Sequence, residues 1–231
     1  MRVAIVENTR VTHHGQVGVA LHEAGALIDQ YKPWSGQPLP RSVDADALVV
    51  FGGEQAATDD HTHPYLPDLA RLMADYTAQD RPVLGICLGA QILARAFGAT
   101  NLLSRTLEFG WQDVSLSDEG RADPVLGTLP GNFPIFQWHS DTFTLPRGAV
   151  QLASSGVVPQ QAFRIGRATY GTQFHFEVSR AVAADWGRTF PALIETLEPG
   201  WLARYDDHAA RDGMAADAHG LAIARAWVGL I

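Results

Sequence analysis

The chain has 231 residues, of which 46% are hydrophobic and 18% are charged, and this balance excludes a disordered polymer. Its 17 basic and 25 acidic side chains give a formal net charge of −8, and no basic run occurs. We therefore expect neither nucleic acid nor an anionic membrane as a partner. The length suits one large domain or two small ones.

The single cysteine, Cys87, excludes an intrachain disulfide and indicates a reducing compartment. The amino-terminal residues become charged too early for the core of a signal peptide. No apolar run approaches the ~20 residues that a membrane-spanning helix needs. Together these features predict a cytoplasmic, mildly acidic protein.

Strands and helices alternate along the first hundred residues. Short apolar runs predict strands over residues 3–6, 27–31, 47–51 and 82–86. Apolar residues at helical spacing predict helices over residues 17–24, 64–79 and 90–97. This order with short connections predicts an α/β fold with a doubly wound, mostly parallel sheet of the flavodoxin-like kind.

The pattern of predicted elements changes after residue 100. Over residues 101–172, short β-like segments alternate with Gly, Pro and Asp turns, which predicts an antiparallel addition to the same sheet rather than a second domain. Three later elements are predicted: a strand over 170–176 and helices over 181–197 and 215–228. We expect a single domain over residues 1–231, with a core over 1–180 and a C-terminal helical extension over 181–231.

The segment 85–89, Gly-Ile-Cys-Leu-Gly, lies where a buried strand is predicted to meet a helix. Glycine two residues before and after Cys87 gives the spacing of a nucleophile elbow, which is familiar with serine as G-x-S-x-G. The tight turn strains the backbone of the nucleophile, and the start of the following helix favours thiolate over thiol. The N–H of Leu88 would point at a developing oxyanion. A buried, unreactive cysteine and a phosphate-binding turn are the alternatives.

A thiol nucleophile needs a base, and nine histidines are candidates. Only His175 lies in a predicted strand, where side chains alternate, so we expect His175 and Glu177 to share one face. Glu177 would accept a hydrogen bond from one ring nitrogen and leave the other facing the thiol. Two solvated residues on a strand edge are the alternative. The histidine pairs at 13–14 and 61–63 lack cysteine partners and an H-E-x-x-H pattern, so we expect no metal site.

These motifs resemble the class I, triad-type glutamine amidotransferase family, and in particular its stand-alone members similar to the glutaminase domain of GMP synthase. The nucleophile motif G-x-C-x-G-x-Q stands at residues 85–91, and the H-P-E motif stands at 175–177 with phenylalanine in place of proline. A predicted strand followed by Gly52-Gly53 matches the oxyanion loop. Residues 108–111 and 138–141 resemble two further segments of this subfamily.

The resemblance implies a role for each matching residue. Cys87 would attack the side-chain carbonyl of glutamine or another γ-glutamyl group, His175 would transfer the proton, and Glu177 would hold the imidazole. The N–H groups of Gly53 and Leu88 would form the oxyanion hole. Contacts to the substrate amino acid are implied for three polar residues: Gln91, Ser140 and Asp141. No cofactor and no metal are implied.

Two other families with a related elbow fit less well. The α/β-hydrolases place the acid before the histidine, whereas the carboxylate here follows it, and DJ-1/PfpI-like proteins lack the C-terminal H-x-E strand. No Walker-type phosphate loop occurs, so ATP chemistry is expected outside this polypeptide. Three interpretations stay open: a self-contained hydrolase of glutamine or a γ-glutamyl small molecule, a glutaminase subunit for a separate synthetase, and a non-catalytic binding relative. A separate synthetase subunit or a second copy of the chain would be the protein partner.

Overall fold

Eleven strands and eight α-helices follow one another along residues 1–231, all of which the computed structural model describes. The strands are β1 (Arg2–Val6), β2 (Leu27–Tyr31), β3 (Ala47–Val50), β4 (Val83–Ile86), β5 (Asn101–Leu102), β6 (Glu108–Leu116), β7 (Asn132–His139), β8 (Thr142–Phe143), β9 (Val150–Ser154), β10 (Ala162–Ile165) and β11 (Thr169–Thr172). The helices are α1 (Gly15–Glu23), α2 (Leu66–Ala78), α3 (Leu88–Ala96), α4 (Asp118–Arg121), α5 (Arg180–Thr189), α6 (Pro191–Leu197), α7 (Tyr205–His208) and α8 (Met214–Val228).

Nine of the strands form one sheet in the order β2-β1-β3-β4-β11-β10-β9-β6-β7. The first five of these strands pair in parallel, and the remaining neighbours pair antiparallel. Strands β5 and β8 form a separate two-stranded sheet. The predicted doubly wound α/β sheet with an antiparallel addition, in a single domain, is therefore confirmed.

The central strands send alternate side chains into two apolar cores, one on each face of the sheet. In β1, Val3 and Ile5 join one core while Ala4 and Val6 join the other. Helices α1 and α8 cover the first face, and α2 and α3 cover the second. Because both faces are covered, these strands are apolar throughout rather than alternating with polar residues.

Two sequence predictions were wrong about where an element ends. The strand predicted over residues 170–176 stops at Thr172, and the chain then bends and turns through residues 173–177. The helix predicted over residues 181–197 is two helices, because Pro191 has no N–H to continue the hydrogen-bond ladder of α5. Phe190 at the junction has a φ of −124°, well outside helical geometry.

The C-terminal residues pack into the body of the fold. Helix α8 contacts α1 and β7, and its Trp227 is fully buried. Arg225 of the same helix donates two hydrogen bonds of 2.7 Å to the carboxylate of Glu23. A π-helical turn over Ala209–Gly213 joins α7 to α8. The structure has no helix whose length and apolar character would let it span a bilayer.

Candidate active site

Three loops meet at the carboxyl edge of the parallel strands, which is where doubly wound sheets bind their ligands. These loops follow β3, β4 and β11, which are neighbours in the sheet. They carry Gly52-Gly53, Cys87 and His175 respectively. The N–H of Cys87 donates to the carbonyl of Thr172 at 2.8 Å, so the parallel pairing of β4 with β11 brings two distant parts of the sequence together.

Cys87 occupies a strained turn between β4 and α3. Its backbone has φ 53° and ψ −109°, a conformation that is rare for a residue with a side chain. A methyl group on Gly85 would stand 2.5 Å from the carbonyl oxygen of Gly89, and one on Gly89 would stand 2.0 Å from that of Val50. Strand and helix therefore approach more closely than any side chain at these positions would allow, and the predicted elbow is present.

The thiol of Cys87 is buried but lines a cavity. Its Sγ donates to the carbonyl of Trp138 and accepts from Nε2 of Gln173, each at 3.7 Å. Gln173 is fully buried and also accepts a hydrogen bond of 3.3 Å from Nε2 of Gln91. Sequence reasoning missed Gln173; the only signal was an amide two residues before His175, directly after the last buried strand.

His175 and Glu177 form a buried pair. Their Nδ1 and Oε1 atoms are 2.7 Å apart, so Nε2 of the imidazole is left free for another partner. The sequence predicted that both residues share one face of a strand, and this prediction was wrong. His175 makes an isolated bridge to Phe136 of β7, and Glu177 lies in the turn that follows. The carbonyl of Glu177 accepts from the N–H of Gln16 at 2.9 Å, which fixes the turn against α1.

His175 and Cys87 both lie against Gly52. A methyl group on Gly52 would stand 3.1 Å from Cε1 of His175 and 3.5 Å from Cβ of Cys87. Burial lowers the pKa of His175, but the negative charges of Glu177 and of the Cys87 thiolate outweigh it, so the pKa lies well above its usual value. The site therefore favours the protonated form of the His175 imidazole.

The two residues predicted for the oxyanion hole lie beside Cys87 in the same cavity. A methyl group on Gly53 would stand 2.7 Å from Cδ2 of Leu88, so the loop after β3 touches the start of α3. Leu88 is the first residue of that helix, where N–H groups lack intrahelical partners. Asn8 anchors the loop by donating to the carbonyl of Phe51 at 2.8 Å.

Tyr65 and Gln55 complete the support of this loop. The hydroxyl of Tyr65 donates to Oδ1 of Asn8 at 3.1 Å and accepts from Nε2 of Gln55 at 2.6 Å. Burial raises the pKa of Tyr65 to about 12, which keeps its hydroxyl protonated as a donor. None of these three side chains was singled out from the sequence, because their contacts join three separate segments.

The three residues predicted to contact the substrate amino acid, Gln91, Ser140 and Asp141, all line the cavity. Nε2 of Gln91 donates to the carbonyl of Asp141 at 3.3 Å. Oδ1 of Asp141 accepts from the N–H of Ser104 at 2.7 Å, so part of this carboxylate is already engaged by the protein. Their contacts to a substrate stay a prediction.

A buried histidine–carboxylate pair lies behind this part of the cavity. Glu108 and His139 have 1% side-chain exposure each, with Oε2 and Nε2 3.1 Å apart. Nδ1 of His139 lies 2.9 Å from the carbonyl of Asp141, and Gln161 donates to Oε2 of Glu108 at 2.7 Å. The pair therefore holds the backbone of Asp141 in place. The sequence marked both segments as family features without indicating that they pair.

The cavity has a volume of about 550 Å³. Part of its lining is an apolar wall, formed by Trp138, Trp186, Phe190, Leu193 and Leu197. Sequence reasoning missed this wall, because residues 181–231 were predicted only as a C-terminal helical extension to the core. The structure contains no cluster of three or more His, Cys, Asp or Glu side chains with metal-binding geometry.

A family model for glutamine amidotransferase class I matches residues 21–185. The chain belongs to the class I glutamine amidotransferase family. This confirms the family that the sequence motifs indicated. This amidotransferase is 32% identical to the glutamine amidotransferase-like protein YfeJ of Salmonella typhimurium, over 77% of the chain and 76% of YfeJ. It is 37% identical to one subunit of the glutamine-hydrolyzing GMP synthase of Methanoregula boonei, over 74% of the chain and 89% of that relative.

Solved amidotransferases share the whole fold. A glutamine amidotransferase from Thermotoga maritima superimposes with a TM-score of 0.85 at 25% identity, covering 98% of both chains. One from Methylobacillus flagellatus gives a TM-score of 0.88 at 26% identity, covering 100% of this chain and 95% of that one. Both matches include residues 181–231 at least in large part, so the C-terminal helices belong to a fold that other family members also have.

Proposed function

We propose that this amidotransferase hydrolyses the γ-carboxamide of glutamine or of a γ-glutamyl amide or peptide, with Cys87, His175 and Glu177 as its catalytic triad. The observation that carries the proposal is the meeting of a strained cysteine elbow with a buried histidine–carboxylate pair in one cavity. Such a set is the general arrangement of nucleophile, base and orienting group in covalent catalysis. The intact set also disfavours a purely binding relative.

The reaction proceeds in two halves. Cys87 gives its thiol proton to His175 as Sγ bonds to the γ-carbonyl carbon, while the N–H groups of Gly53 and Leu88 stabilise the oxyanion, a contribution of ~3–4 kcal/mol per donor in comparable sites. The carbon–nitrogen bond then breaks, and His175 gives its proton to the departing nitrogen. Water, deprotonated by His175, hydrolyses the γ-glutamyl thioester and restores the thiol. Glu177 keeps Nδ1 of His175 engaged throughout.

The test is to incubate the purified chain with glutamine and with γ-glutamyl peptides and to measure released glutamate. The matched control is Cys87→Ala, which retains the fold and loses the nucleophile. Because Cys87 is the only cysteine, intact-mass spectrometry reports a trapped thioester or alkylated thiol without ambiguity. Absence of glutamate release together with an unmodified Cys87 would refute the proposal.

A second candidate function is supply of ammonia to a separate synthetase. The relative from Methanoregula boonei is named as one subunit of a glutamine-hydrolyzing GMP synthase, and its counterpart from Natronomonas pharaonis is 32% identical over 80% of the chain. An ammonia-supplying protein of this kind would hydrolyse glutamine slowly on its own and faster with its synthetase. Comparing glutamine turnover with and without an ATP-dependent synthetase from the same cell distinguishes the two candidates.

A further inference from the structure

The apolar wall offers no favourable contact to ammonia as a leaving group. Leu193 is 48% exposed, while Trp186 and Phe190 are half-buried, so apolar surface remains open to the cavity that holds Cys87. Apolar surface gathered in a concave site is the usual sign of a ligand subsite. Ammonia is small and polar and gains nothing from such surface.

The wall begins at the residue that would protonate the leaving group. The indole of Trp186 packs edge-on against the imidazole of His175, with ring centroids 5.5 Å apart. Trp138 lies 5.3 Å from Trp186, and Phe190 lies 5.7 Å from Trp138, again between ring centroids. Because His175 must reach the departing nitrogen, a substituent on that nitrogen lies next to these rings.

We propose that the apolar wall binds an apolar or aromatic group carried by the amine that leaves a γ-glutamyl amide. This proposal rests on the proposed function and narrows its substrate class. The bond between the γ-carbonyl carbon and nitrogen breaks as Sγ of Cys87 bonds to the carbon. The nitrogen takes the proton of His175 and departs as a primary amine, and water hydrolyses the thioester to glutamate.

The size of the site agrees with a substrate larger than glutamine. Cavities of ~300–1,000 Å³ hold drug-sized ligands, and this one, at about 550 Å³, has room beyond a γ-glutamyl group. Gln91, Ser140 and Asp141 offer polar contacts for the amino-acid end of the substrate. Trp186 is the aromatic residue that packs on His175, and it continues into the rest of the apolar wall, which suits an alkyl or aryl substituent on the departing nitrogen.

The experiment compares two amides that differ only by a phenyl ring, γ-glutamyl-ethylamide and γ-glutamyl-phenethylamide. Both release a primary alkylamine, so the chemistry of the leaving nitrogen is matched. With the purified full chain we expect kcat/KM for the phenethylamide to exceed that for the ethylamide by about tenfold or more. In Leu193→Ser, an exposed position where the fold tolerates the change, this ratio falls severalfold.

The matched control is Leu27→Ser. Leu27 is also an exposed leucine, at 62%, and it lies at the amino end of β2, the edge of the sheet opposite to the cavity. The kcat/KM ratio of phenethylamide to ethylamide in Leu27→Ser should equal that of the unaltered chain. Three outcomes refute the subsite and leave the proposed function standing. The first is a kcat/KM ratio of phenethylamide to ethylamide of one or less, and the second is a ratio that Leu193→Ser does not change. The third is hydrolysis of glutamine with neither amide cleaved. If glutamine and both amides stay intact and Cys87 is never trapped, the proposed function fails and the subsite with it.

Discussion

Helix α8 presses on the turn that carries His175 and Glu177, and one glycine makes this contact possible. Gly220 lies in the middle of α8, and a methyl group there would stand 2.1 Å from the carbonyl oxygen of Phe176. That oxygen belongs to the residue between His175 and Glu177. The substitution Gly220→Ala therefore tests whether the C-terminal helix sets the geometry of the candidate triad.

The expected effect of Gly220→Ala follows from the distance between the added methyl group and the carbonyl oxygen of Phe176. Carbon atoms rest at ~3.5 Å or more from their neighbours, so a contact of 2.1 Å forces the helix or the turn to move by more than ~1 Å. Overpacking of this kind costs ~1–3 kcal/mol of unfolding free energy, and alanine returns ~1 kcal/mol through helix propensity. Stability thus falls by at most ~2 kcal/mol, while a 1 Å displacement at a reacting group lowers turnover ~100-fold.

The assay measures both quantities on the same protein. Urea unfolding gives the change in free energy, and glutamate release gives turnover. The rate of Cys87 alkylation by iodoacetamide, followed by intact mass, reports the thiolate without a substrate. The control is Gly229→Ala at the end of α8, where the nearest atom is 3.3 Å away and φ is −64°. It should leave the free energy of unfolding, the turnover and the alkylation rate unchanged. A Gly220→Ala protein with normal turnover and normal alkylation would refute the reasoning.

Three further predictions concern the site and its support. Glu177→Gln removes the negative charge that favours the imidazolium, so the pKa of His175 falls, as an NMR titration of the imidazole will show. Glu108→Ala leaves the buried His139 without its hydrogen-bond partner and lowers the free energy of unfolding by ~1–3 kcal/mol in urea. Gly89→Ala places a methyl group 2.0 Å from a backbone carbonyl of β3, so overpacking should lower the free energy of unfolding by ~1–3 kcal/mol in urea.

Each of these predictions has a matched control. Glu195→Gln removes an exposed carboxylate of α6 and should leave the pKa of His175 unchanged; equal titration curves for Glu177→Gln and the unaltered chain would contradict the first prediction. Glu119→Ala, at an exposed position of α4, should lower the free energy of unfolding by less than ~0.5 kcal/mol. An equally small decrease for Glu108→Ala would contradict the second prediction. Gly156→Ala, with open space around it, should leave the free energy of unfolding unchanged; an unchanged free energy of unfolding for Gly89→Ala as well would contradict the third.

Local chemistry in the sequence was enough to single out Cys87 as the candidate nucleophile. Gly85 and Gly89 stand two residues from Cys87, and this spacing is recognisable within one short segment, although the need for glycine at position 89 comes from its contact with Val50 of β3. The same holds for the buried strands, because an apolar run bounded by glycine needs no distant partner to be recognised. The pair His175 and Glu177 was found for a partly wrong reason, since a turn and not a strand brings the two side chains together.

What the tertiary structure alone decided is which segments become neighbours. β11 lies beside β4 in the sheet, and this adjacency, not any local pattern, puts Gln173 on the thiol of Cys87. The packing of α5 against β7 places Trp186 on the ring of His175. Such contacts depend on shape and burial across distant parts of the chain, and periodicity along one segment contains no information about the surface it will meet.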